Sequence, residues 1–267
     1  MCVDYHGLNT ITAKDRYPLP YIEDLLDKLH GARVFTKLDL ASGYHQVRVH
    51  SDDFHKAAFI APDGFYEYKV ILFGLANAPA AFMRLMHKIL HPHRRNAIVY
   101  LDDVLIFSRT LAEHKAHVEG VLQALRNVRM RLSEAKCVFA TLEMSFVSFR
   151  VKKHGIHTEV KKVRVVLDWP TPRMPTELRS FLGLVGYYRK FVPKFAHWAH
   201  LLYELAAKAR KDYMWNSRHW EQFGDLKQAL IFAPVLAMLD PEGDFILQTD
   251  AADTAIGGVL AQKQLFE

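Results

Sequence analysis

Ile98-Val99-Tyr100-Leu101-Asp102-Asp103-Val104-Leu105-Ile106-Phe107 is an apolar run interrupted by two adjacent carboxylates. Apolar residues on either side of a polar pair predict two short β-strands joined by a tight turn, with Asp102 and Asp103 at its tip. Two like charges side by side repel, so a chain that keeps both ionised must supply a cation or a wet surface. A hard divalent ion answers that need, because Mg2+ takes carboxylates, waters and phosphate oxygens as ligands. Asp is also a favoured turn residue, so the pair alone reads equally well as a polar hairpin turn. A third carboxylate separates the two readings. Asp39 interrupts Thr36-Lys37-Leu38-Asp39-Leu40, which continues Arg33-Val34-Phe35 as a second strand-like segment. If the two segments lie side by side in one sheet, three carboxylates converge on one edge. That is the pattern of a two-metal site, whose ions stand about 3.5–4 Å apart.

The 267 residues suffice for one large or two smaller domains with a core. Half are hydrophobic and 12% aromatic, which excludes a disordered chain. Lys plus Arg number 35 against 29 Asp plus Glu, and this moderate basic surplus favours polyanionic partners without requiring one. Two cysteines, Cys2 and Cys137, exclude a disulfide framework and fit a reducing compartment. His91-Pro92-His93 comes nearest to zinc-ligand spacing and reads as a wet helix end. No run of about 18 apolar residues and no signal peptide is present, so no membrane partner is expected.

Met1-Cys2-Val3-Asp4-Tyr5 reads as a strand entered midway, as if the chain starts inside a domain. Leu19-Pro20 opens a helix with Ile22, Leu25, Leu26 and Leu29 on one face, ending at Gly31. After the Asp39 segment comes a turn, Ala41-Ser42-Gly43-Tyr44-His45-Gln46, and then a strand in which Val47 and Val49 alternate with Arg48 and His50. Ala58-Phe59-Ile60 and Phe65-Tyr66-Glu67-Tyr68 predict a hairpin across Asp63-Gly64. Pro79 suits the first turn of a helix reaching about Leu90, with Phe82, Leu85, Met86 and Ile89 as its core stripe. Leu111 to about Val128 is a further helix, and Phe146 to Val151 a further strand. Pro170-Thr171-Pro172 and Pro175 break the chain at a domain boundary. Beyond it, Phe181, Tyr187, Tyr188, Phe191, Phe195 and Trp198 mix with Arg179, Arg189, Lys190 and Lys194. Stacking on nucleic-acid bases and a small helical core with a charged skin both fit that composition. A helix from Ser217 to about Phe232 precedes a hairpin of Phe245–Asp250 with Ile256–Ala261. Such a hairpin does not stand alone in water, so it reads as the opening of a longer domain.

Taken in order, Asp4-Tyr5-His6-Gly7-Leu8-Asn9, Tyr17-Pro18-Leu19-Pro20, Leu38-Asp39-Leu40, Ser42-Gly43-Tyr44-His45-Gln46, Phe73-Gly74-Leu75 with Asn77-Ala78-Pro79, and Tyr100-Leu101-Asp102-Asp103 resemble the ordered motifs of a reverse transcriptase. The flavour is that of a gypsy-type long-terminal-repeat retrotransposon polyprotein. The resemblance continues through Leu178-Arg179-Ser180-Phe181-Leu182-Gly183-Leu184 and Tyr187-Tyr188-Arg189 into Thr249-Asp250-Ala251, which looks like the first strand of a ribonuclease H domain. It implies an α+β chain: a right-hand polymerase palm with partial fingers over residues 1–151, a helical thumb and connection over 152–212, and the incomplete first hairpin of a ribonuclease H-like domain over 213–267.

The implied activity is RNA-directed DNA polymerisation by two-metal nucleotidyl transfer, with two Mg2+ or Mn2+ ions as cofactors. The resemblance carries the catalytic role to Asp39, Asp102 and Asp103, with the Leu40 carbonyl completing a metal shell and Asp250 as the first ribonuclease H metal carboxylate. It carries nucleotide and template binding to Tyr44, Phe73, Gly74 and Tyr100, and makes Lys136 the candidate general acid for the leaving pyrophosphate. The implied partners are an RNA or DNA template with primer, deoxynucleoside triphosphates, and either further polyprotein segments such as protease and integrase or a second subunit. The implied setting is intracellular, in a cytoplasmic particle or the nucleus. The chain departs from the family pattern at four points. It lacks the family's fingers segment ahead of Asp4-Tyr5, and His6 stands where an arginine is usual. Ile71-Leu72 replaces Met-Pro, and Phe146-Val147-Ser148-Phe149 replaces a stretch with Leu-Gly-His. The alternative reading is a catalytically impaired nucleic-acid-binding remnant. A retroviral-type aspartic protease, from Asp253-Thr254-Ala255 alone, fits the surrounding residues less well than a ribonuclease H hairpin.

Overall fold

The computed structural model describes residues 3–262, and the chain divides into two compact units, Met1–Met144 and Ser145–Glu267. The first runs α1 (His6–Ile11), α2 (Ile22–Asp27), β1 (Val34–Asp39), β2 (Ala58–Ala61), β3 (Gly64–Glu67), α3 (Ala78–Ile89), β4 (Ala97–Tyr100), β5 (Asp103–Ser108), α4 (Leu111–Asn127) and β6 (Val138–Thr141). Its main sheet has the order β4-β5-β1-β6, with β5 antiparallel to both β4 and β1. The two apolar segments read from the sequence are therefore neighbours.

One face of this sheet is fixed by α3 and α4. Leu38, Val104 and Ile106 pack into one cluster with Phe82, Met83 and Met86 of α3 and Val121 and Leu125 of α4. Each such side chain, fully buried, contributes about 1.5–3 kcal/mol over its exposed state. Pro79 occupies the first turn of α3, where its missing N–H leaves no bond unmade. A capping box opens α4: Thr110 Oγ1 accepts the Glu113 N–H, and the Glu113 carboxylate accepts the Thr110 N–H.

Three sequence expectations are corrected in this unit. Val3–Tyr5 form no strand, because the Asp4 carboxylate accepts the His6 N–H at 2.9 Å and turns the chain into α1. Met1 and Cys2 of that stretch lie outside the described residues. Val47–His50 make only an isolated bridge, Arg48 to Val70, because the segment is confined between the short helical turns Gly43–Gln46 and Ser51–Ala57. The β4–β5 turn consists of Leu101 and Asp102, with Asp103 already in β5 opposite Tyr100.

From the end of the first unit onward come β7 (Glu143–Phe146), β8 (Phe149–Lys152), β9 (Gly155–Thr158), α5 (Val160–Leu167), α6 (Pro175–Tyr187), α7 (Phe195–Ala207), α8 (Ser217–Ile231), β10 (Phe245–Ala252) and β11 (Ala255–Gln262). The single strand expected over Phe146–Val151 is a hairpin. Val147 and Ser148 both take positive φ, 46° and 63°, and form its two-residue turn. Two positive φ angles match the twist of antiparallel strands, but they normally call for Asn or Gly, so this turn left no mark in the sequence. Two phenols hold it from outside: Tyr187 Oη donates to the Val147 carbonyl at 2.7 Å and Tyr188 Oη to the Ser148 carbonyl at 3.2 Å. Phe149 stacks on Tyr187 with ring centroids 5.1 Å apart. Phe181, Tyr188 and Phe191 are buried, so these aromatics build a helical core. The β10–β11 hairpin pairs Asp250 with Gly257 and exposes Phe245, Leu247, Ile256 and Leu260.

Candidate functional site

Asp39 ends β1 and faces Asp103, the first residue of β5, across the ladder. Asp102 precedes it in the turn. Side chains alternate along a strand, and Thr36 and Leu38 point to α4, so Lys37 and Asp39 lie on the opposite face. That face carries the charged groups. Lys37 Nζ donates to Asp103 Oδ2 at 2.8 Å, with both side chains one-quarter exposed. Lys136 Nζ stands 3.7 Å from Asp39 Oδ1 on a mostly exposed side chain. Burial raises the Asp103 carboxyl above the usual range; Lys37 pulls it back down, while Asp102 and Asp39 push it further up.

The turn carrying Asp102 is strained. Leu101 has φ 54°, a conformation that costs a side-chain-bearing residue on the order of 1–2 kcal/mol. Its N–H donates to Met83 Sδ at 3.1 Å, which ties the turn to α3. Cys137 Sγ accepts the Asp39 N–H at 3.4 Å and fixes the end of β1. Leu40 is buried and bridges to Leu132.

Tyr44 lies beside these acids. It is buried edge-on between Phe73 and Phe82, with centroids 4.8 and 5.0 Å away, and burial, then the Asp102 charge, raise its phenol. Gly43 lets the chain approach, since a Cβ there would come within 3.1 Å of the Phe82 ring. Phe73 is exposed and Gly74 takes φ 95°, a backbone state that suits glycine. Two asparagines clasp this loop. Asn9 Nδ2 donates to the Gly74 carbonyl at 2.7 Å while Asn9 Oδ1 accepts the Ala76 N–H at 2.8 Å. Asn77 returns the pattern, donating to the Ala13 carbonyl and accepting the Asp15 N–H.

The structure thus gathers Asp39, Asp102, Asp103, Tyr100, Tyr44 and Lys136 around one end of the main sheet. Asp250 belongs to the second unit, on the exposed strand β10. Among the described residues no group of three or more His, Cys, Asp or Glu side chains is arranged to hold a metal ion. The donor chemistry of the three acids still fits a hard divalent cation, and two of them, Asp103 and Asp39, also face the ammonium groups of Lys37 and Lys136. Sequence reasoning gave no role to Lys37 or Met83, and it quoted Asn9 and Asn77 as motif residues without the loop-clasping role the structure shows. Lys37 was accessible to it, because period-two alternation places it on the face of Asp39.

A family model described as reverse transcriptase (RNA-dependent DNA polymerase) matches residues 1–184. The chain belongs to the reverse transcriptase family. A second model, the RNase H-like domain found in reverse transcriptase, matches residues 215–265. The Tf2-3 and Tf2-7 transposon polyproteins of Schizosaccharomyces pombe are each 40% identical over 264 residues, 98% of this chain. The chain spans 20% of the length of those polyproteins. Among solved structures, the foamy viral protease-reverse transcriptase dRH in complex with double-stranded DNA superposes with TM-score 0.87 at 23% identity, covering 97% of this chain and 46% of that one. The foamy viral protease-reverse transcriptase in complex with RNA/DNA hybrid gives TM-score 0.84 at 23% identity, covering 97% and 35%. The expected α+β reverse transcriptase fold, with the start of a ribonuclease H-like domain, is the fold of this chain. Among the described residues no helix is long and apolar enough to cross a membrane.

Proposed function

We propose that this reverse transcriptase chain extends a primer by template-directed nucleotidyl transfer, with Asp39, Asp102 and Asp103 holding two divalent ions, Mg2+ or Mn2+, and the Leu40 carbonyl adding an oxygen ligand. The observation that carries the reading is the cross-strand placement of Asp39 opposite Asp103, with Asp102 one residue away in a strained turn. Divalent ions bound there supply Lewis acidity and charge neutralisation for attack of a primer 3′-hydroxyl on the α-phosphate of a deoxynucleoside triphosphate. The protein's share is alignment and electrostatics. Tyr44, wedged between Phe73 and Phe82, closes the floor of the site under the sugar and rejects a 2′-hydroxyl. Gly74 admits the backbone close to template and nucleotide, Phe73 packs against them, and Tyr100 flanks Asp103. Lys136, exposed at the rim, gives a proton to the departing pyrophosphate.

In this reading residues 1–151 are partial fingers and palm, 152–212 thumb and connection, and 213–267 the start of the ribonuclease H-like domain, with Asp250 as its first metal carboxylate. The partners are a primed RNA or DNA template and deoxynucleoside triphosphates. The polyprotein relatives, of which this chain spans 20%, support further polyprotein segments as partners. In this reading those segments are protease and integrase, a second subunit is the other candidate partner, and the setting is a cytoplasmic particle or the nucleus. Primer extension on an RNA template with Mg2+ or Mn2+ tests the proposal. Asp102→Asn removes a metal ligand and should lower extension by on the order of a hundredfold or more. Extension that survives that change refutes the assigned site. Salt-dependent binding of primer and template without any incorporation by the unaltered chain would make it a binding remnant instead.

A further inference from the structure

Lys37 is built into the strand that delivers Asp39. Opposite it on β5 stands Leu105, fully buried, so the diagonal neighbour Asp103 is the acid within its reach. The 2.8 Å contact between them is shielded on both sides, each side chain being 25% exposed. The other ammonium in the site is different: Lys136 is 69% exposed and sits 3.7 Å from Asp39. Among the described residues, three carboxylates are therefore faced by one fixed cation and one loose one, and Asp102 is left to the solvent-exposed turn.

We infer that Lys37 is a resident counter-cation of the acid cluster, holding Asp103 in place while no divalent ion is bound and competing with that ion for its carboxylate. The inference rests on Asp39, Asp102 and Asp103 being the metal-holding acids. Three like charges at a sheet edge would otherwise destabilise the metal-free fold, and an ammonium carried on β1 beside Asp39 offsets the charge of Asp103 on β5. The consequence is opposite in sign for the two states. A neutral side chain at position 37 makes the metal-free protein less stable and the divalent site stronger, whereas mere damage to the fold would weaken both.

The test measures Mn2+ binding directly, from the free-ion spin-resonance signal, and the melting temperature in chelator, for the full chain and its Lys37→Met, Lys37→Gln and Lys37→Arg variants. The expected result is Mn2+ affinity raised on the order of tenfold in Lys37→Met and Lys37→Gln and close to the unaltered level in Lys37→Arg. Chelator melting temperatures should fall in the two neutral variants and recover when Mn2+ is added. Adding Asp103→Asn to Lys37→Met should abolish the gain. Unchanged or weaker Mn2+ binding in both neutral variants overturns the role of Lys37 while leaving the acid site standing. A gain that persists with Asp103→Asn also overturns it. Absence of Mn2+ binding by every form overturns the acid site together with it.

Discussion

The turn between β7 and β8 carries strain that can be removed without breaking the two hydrogen bonds that hold it. Val147 at φ 46° and Ser148 at φ 63° sit where a β-branched residue is an outlier and where Asn followed by Gly is the favoured pair. The double substitution Val147→Asn with Ser148→Gly relieves about 2–3 kcal/mol of backbone strain. Glycine's extra freedom in the unfolded chain returns about 0.7 kcal/mol. Loss of the half-buried valine methyls returns about 0.8 kcal/mol more. The phenols of Tyr187 and Tyr188 donate to backbone carbonyls, which survive the exchange. The net expectation is a stabilisation of about 1 kcal/mol, or a rise of roughly 3–5 °C in melting temperature for a unit of this size. The readout is unusually clean, because all four tryptophans, Trp169, Trp198, Trp215 and Trp220, belong to the second unit. Tryptophan fluorescence therefore follows this unit's unfolding in urea or heat. A variant that melts at or below the unaltered temperature by this probe would refute the assignment of strain to the turn.

Two further perturbations address the first unit. His114 is buried and shares hydrogen bonds with Thr36 Oγ1 at 2.7 Å and Ser108 Oγ at 2.9 Å, the latter also bonded to His117 Nδ1 at 2.8 Å. Burial, and then His117, hold its imidazole below the ordinary value. Its contribution is accordingly present above the unfolded histidine value of about 6.5 and lost as pH falls through the lower folded value. Urea midpoints followed by circular dichroism should fall from pH 7 to pH 5, and His114→Gln should flatten that slope; a slope unchanged by the substitution counts against the buried neutral ring. Thr110→Ala removes the capping box of α4 and should cost about 1 kcal/mol by the same measurement at pH 7, whereas an unmoved midpoint would mean the cap contributes nothing.

The elements legible in the sequence were those whose pattern has one explanation. Apolar runs broken by acids gave β1, β4 and β5; a stripe after Pro79 gave α3; and the segment from Leu111 to about Val128 gave α4. The elements that escaped have chemistry that points elsewhere. Val160–Leu167 is rich in β-branched valine yet folds as α5, because Val166 must be buried while its lysines and arginine face out. The Val147-Ser148 turn lacks every residue that marks such turns and exists because Tyr187 and Tyr188 grip it from α6 and its C-cap, contacts about 40 residues away in the chain. The family motifs named the acids; alternation puts Lys37 on their face, but its partner Asp103 is set by strand register, which the motifs do not carry.

That register is where local sequence becomes a site. β1 is buried on both faces except at Lys37 and Asp39, so hydrophobicity alone does not decide which way it is turned. Thr36 decides it. Its hydroxyl accepts the Ala140 N–H at 3.0 Å and shares a 2.7 Å hydrogen bond with His114 on α4, so Thr36 must face the helix layer. Leu38 then follows it into the cluster with Val121 and Leu125. A slip of one residue would turn every side chain over, burying Lys37 and Asp39 against α4 and leaving the Thr36 and His114 polar groups without partners. Each buried group so abandoned costs on the order of 1–3 kcal/mol, and a buried unpaired carboxylate costs more. Asp39 therefore reaches Asp103 because Thr36 and Leu38 can sit nowhere else, and the acids' geometry is inherited from a hydroxyl and a histidine on the far side of the sheet.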